Sequence, residues 1–451
     1  MHRPPPHFLL STPRRRVTLG LAEALVAGPW REDDLVTRGA RAVGRRGRWL
    51  RPLIRRLLET FGTGLRPPAA RVAAFLGDDV GFCRANARDR IGLAICISLP
   101  PVMWPAPGGP STWPIPALTT PGELADWLGL TQGALDGFAD LQGRNRRLPP
   151  GRLRNYDFTW QRKRTGGARL IEAPRRRLKA LQRQVLDEIL AHIPPHEAAH
   201  GFRPGRSVRS FAMPHVGQKI VVRMDLRDFF PTVTGARVVA VFLTAGYPEP
   251  VARRLAGLCT NRVPAAVWND PGAPAPGPDA WRGRRLLVQP HLPQGSPTSP
   301  ALANLCAYHL DARLTGLAAS VGARYTRYAD DLVFSGGEEL ARAWRRFVIS
   351  VAATALEEGF EVNPRKTRVM RRGVRQQVAG VVVNDHVNTA RDEFDRLKAI
   401  LHNCARHGPA SQNRESHPDF RAHLSGRVAH VAMLNPERGR KLRGLLEAIA
   451  W

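Results

Sequence analysis

Two neighbouring carboxylates, Asp330 and Asp331, lie inside the run R-Y-T-R-Y-A-D-D-L-V-F-S-G at residues 324–336. Acidic pairs can hold hard divalent cations such as Mg²⁺, which take oxygen ligands and share them with substrate phosphates. The same pair also suits a solvated turn, because Asp bonds its own backbone there. Tyr325 to Tyr328 and Leu332 to Phe334 are aromatic or branched at strand spacing, which predicts two short strands joined by a turn at Ala329–Asp331. A second run, V-V-R-M-D-L-R-D-F-F-P at residues 221–231, reads as a buried strand ending at Asp225. Three carboxylates from neighbouring strands can hold two Mg²⁺ ions. In such a site one ion activates an attacking 3′ oxygen and the other stabilises departing pyrophosphate.

Other residues fit round that chemistry. Phe230 follows Asp225 by five positions; a ring there would press on a sugar C2′ and exclude a ribose hydroxyl, or serve simply as a core aromatic. Gln294 and Gly295, in L-P-Q-G-S-P-T-S-P, precede a helix where backbone can approach a nucleotide closely. Lys366, in G-F-E-V-N-P-R-K-T-R-V, is expected exposed after Pro364, either as a solvated lysine or as a donor near leaving phosphates. A basic hairpin, R-K-R-T-G-G-A-R-L-I-E-A-P at residues 162–174, carries Lys163, Arg164 and Arg169, suited to clamping a triphosphate. His200 and His215 flank Arg203 and Arg206. No carboxylate lies nearby at ligand spacing, so these histidines read as structural or RNA contacts and not as metal ligands.

The elements that must position these groups can be read in outline. Apolar residues recur at helical spacing from Val17 to about Ala85, including Leu19, Leu21, Leu25, Leu50, Leu53, Leu57, Val72, Phe75 and Leu76. The basic middle of that region, Arg38 to Arg56, reads equally as a solvated face or an RNA contact. Residues 1–10 are Pro-rich and expected to be disordered, and residues 100–120 read as a linker or packed arm. Two short helices come next, around Leu124–Leu130 and Gln132–Leu141. From about Asn155 strands and helices alternate: a hairpin, a helix over Arg175–Ile193, and a strand over Lys219–Met224. A Pro/Gly-rich loop is expected at 262–284, then a helix over Ser299–Leu317, another over Arg342–Glu358, and a strand at Val378–Val383. Three closing helices span Ala390–Arg406, Phe420–Leu434 and Pro436–Ala450.

Composition bounds the partners. The 451-residue chain carries a net charge of +30, and only six of its 68 basic residues are lysine. A surface that basic calls for a polyanion, and arginine binds phosphate in a bidentate fork. The five cysteines, including Cys83 and Cys96, form no C-x-x-C pair, which disfavours zinc and a disulfide framework. The apolar run at 91–104 is too short to span a bilayer. These features lead us to expect a soluble protein of the reducing cytoplasm, with no membrane partner.

The order of the motifs is more specific than any one of them: basic hairpin, strand-Asp-Phe-Phe, P-Q-G helix, Y-A-D-D hairpin, then lysine turn. That order resembles the reverse transcriptases over about residues 155–450. The resemblance implies an α+β right-hand polymerase fold, with fingers, a palm holding an antiparallel sheet and a helical thumb, behind a helical N-terminal extension. The divisions are 1–150 for the basic extension and linker, 151–386 for fingers and palm, and 387–451 for thumb. It further implies that Asp225, Asp330 and Asp331 bind two Mg²⁺ ions, that Phe230 is the sugar gate, and that Arg169 meets the incoming triphosphate. Gln294–Gly295 would contact template and nucleotide, and Lys366 would be the palm lysine.

Within that family the chain is similar to bacterial retron enzymes through A-H-G-F-R-P-G-R-S-V at 199–208 and L-S-G-R-V-A-H-V-A-M-L-N-P-E at 424–437. It departs from two retron markers, with Phe211 in place of Asn in the N-A-x-x-H pattern and Ala379 in place of Thr in V-T-G. A retron enzyme implies a structured noncoding RNA as template and, through a 2′-hydroxyl, as primer. It also implies dNTP substrates, a branched RNA–DNA product (msDNA) and a role in antiphage defence; an effector protein is a further partner the resemblance allows. Other readings are a group II intron-like or defence-associated reverse transcriptase, and a catalytically silent RNA-binding protein.

Overall fold

The computed structural model describes residues 13–63, 67–95, 103, 113–149, 151, 153–162 and 167–451, with side chains from Val17 onward. Lys163, Arg164 and the Pro-rich start lie outside the described residues, as does most of the arm expected before residue 113. The chain divides into two units, Met1–Val102 and Met103–Trp451.

The first unit holds helices α1 (Pro13–Val26), α2 (Glu32–Val43), α3 (Leu50–Phe61), α4 (Ala69–Asp78) and α5 (Val80–Asp89). Leu21, Leu25, Leu50, Leu53, Leu57, Val72 and Leu76 form its core at the expected spacing, while Leu19 is left exposed. Several of its arginines find acceptors within the unit. Arg38 donates to the carbonyls of Ala24, Leu25 and Pro29. Arg51 and Arg55 pair with Glu32, and Arg51 also reaches Asp33. Arg56 grips Asp79, which caps α5 by accepting from the Phe82 N–H. Arg38 and Arg56 thus tie neighbouring elements of the unit together, while Arg51 and Arg55 make exposed pairs that add little.

The second unit begins ahead of the expected boundary at residue 150. Helices α6 (Pro121–Trp127) and α7 (Gln132–Ala139) bury Leu124, Leu135 and the α6 C-cap Leu128 in the same core as Leu178, Leu255 and Leu258, so they are part of the second unit and not of the N-terminal extension. Strands β1 (Tyr156–Arg162) and β2 (Ala168–Pro174) pair antiparallel, and α8 (Arg176–Glu188) turns Leu178, Leu181 and Val185 inward. Next come α9 (Val208–Ala212), β3 (Ile220–Asp225), the single turn α10 (Phe229–Thr232), α11 (Gly235–Thr244) and α12 (Glu249–Cys259).

The segment 262–284, expected to be a loop, contains a 3₁₀ turn at Ala265–Asn269 and most of helix α13 (Pro278–Leu287). Tertiary anchoring explains the order: Val263, Val267 and Leu287 pack with Leu170 of β2, and the Trp160 indole donates to the Val267 carbonyl. The helix expected over Ser299–Leu317 is two, α14 (Ser299–Cys306) and α15 (Tyr308–Ala319), broken at Ala307.

Strands β4 (Arg324–Tyr328) and β5 (Asp331–Gly336), helix α16 (Glu338–Glu357) and strand β6 (Arg368–Arg371) complete a four-stranded antiparallel sheet of order β4-β5-β3-β6. A smaller sheet is built from β7 (Gln377–Val378), β8 (Val381–Val382) and β9 (Asn388–Thr389). Its first turn is Ala379–Gly380, both at positive φ, as a two-residue hairpin of type I′ requires. Helices α17 (Arg391–His407), α18 (Phe420–Leu434) and α19 (Pro436–Glu447) close the chain around Leu397, Leu401, Leu424, Val428 and Leu442. Among the described residues no helix is long and apolar enough to cross a membrane.

The larger sheet is covered on both faces. Ile220, Val222, Met224, Leu332 and Phe334 face the main core, whereas Val221 and Val333 join Phe211, Val378 and Val381 on the other side. Period-two alternation then dictates which polar residues share a face.

Candidate active site

Asp225 is the last residue of β3, and the antiparallel register sets it directly opposite Asp331, the first of β5. Tyr328 pairs with Asp331, so the β4–β5 turn is only Ala329 and Asp330. Ala329 takes φ 54, at a turn position where glycine is ordinarily favoured. The Leu226 N–H donates to the Asp330 carbonyl at 2.8 Å, tying the turn to the end of β3. The three carboxylates are thereby gathered at one corner of the sheet.

That corner is crowded with like charge. Asp225, only 6% exposed, accepts from Lys366 Nζ at 2.9 Å on each carboxylate oxygen. Lys366 reaches it from a 3₁₀ turn, Pro364–Lys366, that the Asn363 N–H docks on the Asp225 carbonyl at 2.7 Å. Arg223, two residues before Asp225 and so on the same strand face, grips Asp331 with contacts of 2.8 Å to both oxygens. Burial raises the Asp331 carboxyl above its ordinary value despite Arg223. Asp330 has no such ion pair among the described residues; burial, then the charges of Asp225 and Asp331, push it up to about 6.

Among the described residues, no three acidic, His or Cys side chains close into a ready-made cation cage. Asp225 and Asp331 instead turn their oxygens to Lys366 and Arg223. The donor set still fits a hard divalent cation. All three groups are carboxylates, and added positive charge would offset both the burial and the neighbouring charges that lift Asp330.

Phe230 lies beside this corner, partly buried, with its ring centroid 5.6 Å from Phe229 and 6.2 Å from Phe202. Arg169 is exposed on β2 and donates to Gln161 at 2.8 Å. Gln294 and Gly295 sit against the same strand: the Glu172 N–H donates to the Gln294 carbonyl at 2.8 Å. A Cβ on Gly295, at φ 136, would stand 2.8 Å from the Glu172 carbonyl oxygen, so the close approach this glycine permits is to β2. Below lies a buried chain in which Glu172 accepts from Asn261 and meets His291 at 2.9 Å. Burial opposes a proton on His291, but Glu172 outweighs it and raises the imidazole above its ordinary value.

The assignment of His215 to nucleic acid is corrected by the fold. Its ring is fully buried, 2.7 Å from Ser335 Oγ and 2.7 Å from Thr326 Oγ1, and burial lowers it to about 3. It braces β4 against β5. Arg203 and Arg206 remain partly exposed, both paired with Glu197, at 2.7 and 2.5 Å.

A second set of residues supports the corner from behind, and the sequence offers little sign of it. Arg327 is fully buried. It donates to both Asp311 oxygens, at 2.8 and 2.6 Å, to Asn304 Oδ1 at 3.0 Å and to the Ala329 carbonyl at 3.1 Å. Tyr325 donates to Asp311 at 2.8 Å, and Asn304 donates to the Gly201 carbonyl at 2.8 Å. An arginine at an inward strand position is the one local signal; its partner, Asp311, lies on α15. Arg223 is detectable by strand parity with Asp225.

Comparison with known proteins places much of the chain in one family. The family described as reverse transcriptase (RNA-dependent DNA polymerase) matches residues 161–395. The chain is similar to the retron Mx65 reverse transcriptase of Myxococcus xanthus, 44% identical over 330 residues, covering 73% of this chain and 71% of that protein. The retron Mx162 enzyme of the same organism is 38% identical, with coverage of 62% and 57%. The retron Ec86 reverse transcriptase of Escherichia coli is 32% identical, with coverage of 52% and 64%.

Proposed function

The chain belongs to the bacterial retron-type reverse transcriptases, which are RNA-directed DNA polymerases, and from that premise we propose how its residues divide the work. Asp225, Asp330 and Asp331 hold two Mg²⁺ ions. Bound there, the ions supply charge stabilisation for nucleotidyl transfer and lower the pKa of the attacking hydroxyl. The observation that carries this is the cross-strand pairing of Asp225 with Asp331, with Asp330 pushed up to about 6 beside them.

The chain's own groups do the rest. Lys366, 53% exposed and already at Asp225, is placed to neutralise or protonate phosphate that leaves. Arg223 keeps the Asp331 carboxylate oriented. Phe230 limits the space beside the nucleotide sugar. Hairpin β1–β2 acts as fingers, with Lys163, Arg164 and Arg169 on the triphosphate; the four-stranded sheet is the palm, and α17–α19 form the thumb. Gln294 supports the template–nucleotide pair, and Arg203 and Arg206 meet RNA.

The substrate we propose is a structured noncoding RNA that also primes, giving msDNA that serves antiphage defence in the cytoplasm. Primer extension tests the first part: wild type should add dNTPs and Asp330→Asn should not, while RNA binding persists. Sequencing the copurifying nucleic acid tests the second. A short hybrid with a 2′–5′ branch supports it; long heterogeneous cDNA favours a group II intron-like or other defence enzyme.

A further inference from the structure

Phe202 sits in an unusual state for an aromatic residue. Its φ is 58, the residue is 50% exposed, and it belongs to no buried apolar cluster among the described residues. A bulky side chain at positive φ is a steric outlier, and such outliers persist only where the surroundings over-determine them. Core formation does not account for this one, because the residue stays half exposed.

The surroundings are specific. The ring centroid lies 6.2 Å from Phe230 and 6.2 Å from Tyr328, the residue that opens Y-A-D-D, both within the range of favourable aromatic contact. The residue before it is fixed to the catalytic hairpin. The Gly201 carbonyl accepts from Asn304, which is held by Arg327, which also holds the Ala329 carbonyl. The His200 N–H donates to the Arg327 carbonyl at 2.8 Å. Gly201 lies so close that a Cβ there would stand 2.8 Å from the Ala329 nitrogen. The turn at Gly201–Phe202 and the turn at Ala329–Asp330 are therefore fastened to each other, and Phe202 projects from that junction onto Phe230.

We propose that Phe202 is a positioning residue for the sugar gate. Its ring backs Phe230 and sets how far that ring reaches toward the nucleotide sugar, and so sets discrimination between deoxyribonucleotides and ribonucleotides. The inference rests on Phe230 being the gate. Without Phe202 the Phe230 ring gains room to retreat, and a 2′-hydroxyl is better tolerated.

The test measures kcat/KM for one dNTP and the matching rNTP on a primed RNA template, in the full-length protein and its Phe202→Ala, Phe230→Ala and double variants. Phe202→Ala should relax the dNTP preference about 10-fold, inside the roughly 10²-fold that pocket shape gives against an added hydroxyl. The double variant should relax it by less than the product of the singles. Phe202→Gly, which releases the positive-φ strain, should melt no lower than wild type and still lose discrimination. If Phe230→Ala relaxes the preference but Phe202→Ala and Phe202→Gly leave the ratio unchanged, the gate stands and the role of Phe202 is overturned. If Phe230→Ala leaves the ratio unchanged, the gate reading fails and this inference fails with it.

Discussion

Two charged clusters lie on opposite faces of the β4–β5 hairpin, and they are built in opposite ways. On one face Asp225, Asp330 and Asp331 crowd three acids against Lys366 and Arg223, and Asp330 is pushed up to about 6. On the other, the Arg327 guanidinium is enclosed with Asp311, Asn304, Tyr325 and the Ala329 carbonyl, each joined to its neighbour by an attractive contact. The paired cluster fixes the turn. The crowded one stores repulsion that an added cation would remove. The stabilising pairing and the proposed chemistry thus fall on separate faces of the same two strands.

The contrast is sharpest at Asp330. Asp330→Asn should cut nucleotide addition by at least about 10³-fold, since the charge stabilisation lost is worth several kcal/mol. The same change should stabilise the metal-free protein. The folded carboxyl titrates near 6, above its unfolded value of about 3.9, so ionising it costs the fold up to about 3 kcal/mol at pH 7. That cost shrinks as pH falls through 6 and is gone below about 4. Thermal melts in chelator at pH 7 and pH 4 check both limbs; an Asn variant melting below wild type at pH 7 would remove the repulsion from the account.

Breaking the paired face should do the reverse. Arg327→Met leaves Asp311 buried without its cation and should cost about 3–5 kcal/mol by denaturant titration. Adding Asp311→Leu should recover much of that stability while activity stays low, because the Ala329 carbonyl has still lost its donor. Full recovery of activity in the double variant would show that the cluster merely fills space.

Smaller changes probe the seam. Gly201→Ala drives a Cβ against the Ala329 backbone at 2.8 Å and should cost about 1–3 kcal/mol, with turnover falling more than RNA affinity. Ala329→Gly should raise stability by about 1 kcal/mol by removing positive-φ strain. A melt unchanged by this substitution would mean that the turn relaxes without cost.

The corner itself was legible because it is written in local chemistry. Alternation marked β3 and β5, and the acids fell at their ends; parity alone then decides faces. The paired cluster was hidden because Arg327 and Asp311 meet only when α15 packs under β4, a tertiary fact with no local spacing. His215 misled for a related reason: arginine neighbours suggested RNA, yet the chain buries it between Ser335 and Thr326. Helix α13 was masked by the prolines and glycines round it, although Val263, Val267 and Leu287 carried the anchoring pattern. In the first unit, charge spacing left a solvated face and an RNA contact equally open, and it gave no sign that Arg38, Arg51, Arg55 and Arg56 have acceptors within their own helices and loops.

The loop from Tyr328 to Asp331 has no slack. One inserted residue would shift β5 by a single step against its neighbours and turn each of its side chains over. Asp331 would then face the greasy interior opposite Met224, and Leu332 would turn onto the acid-bearing face opposite Arg223. Loop length at this point is therefore harder to vary than residue type, and deletions or insertions here should be tolerated less well than conservative substitutions within the same strands.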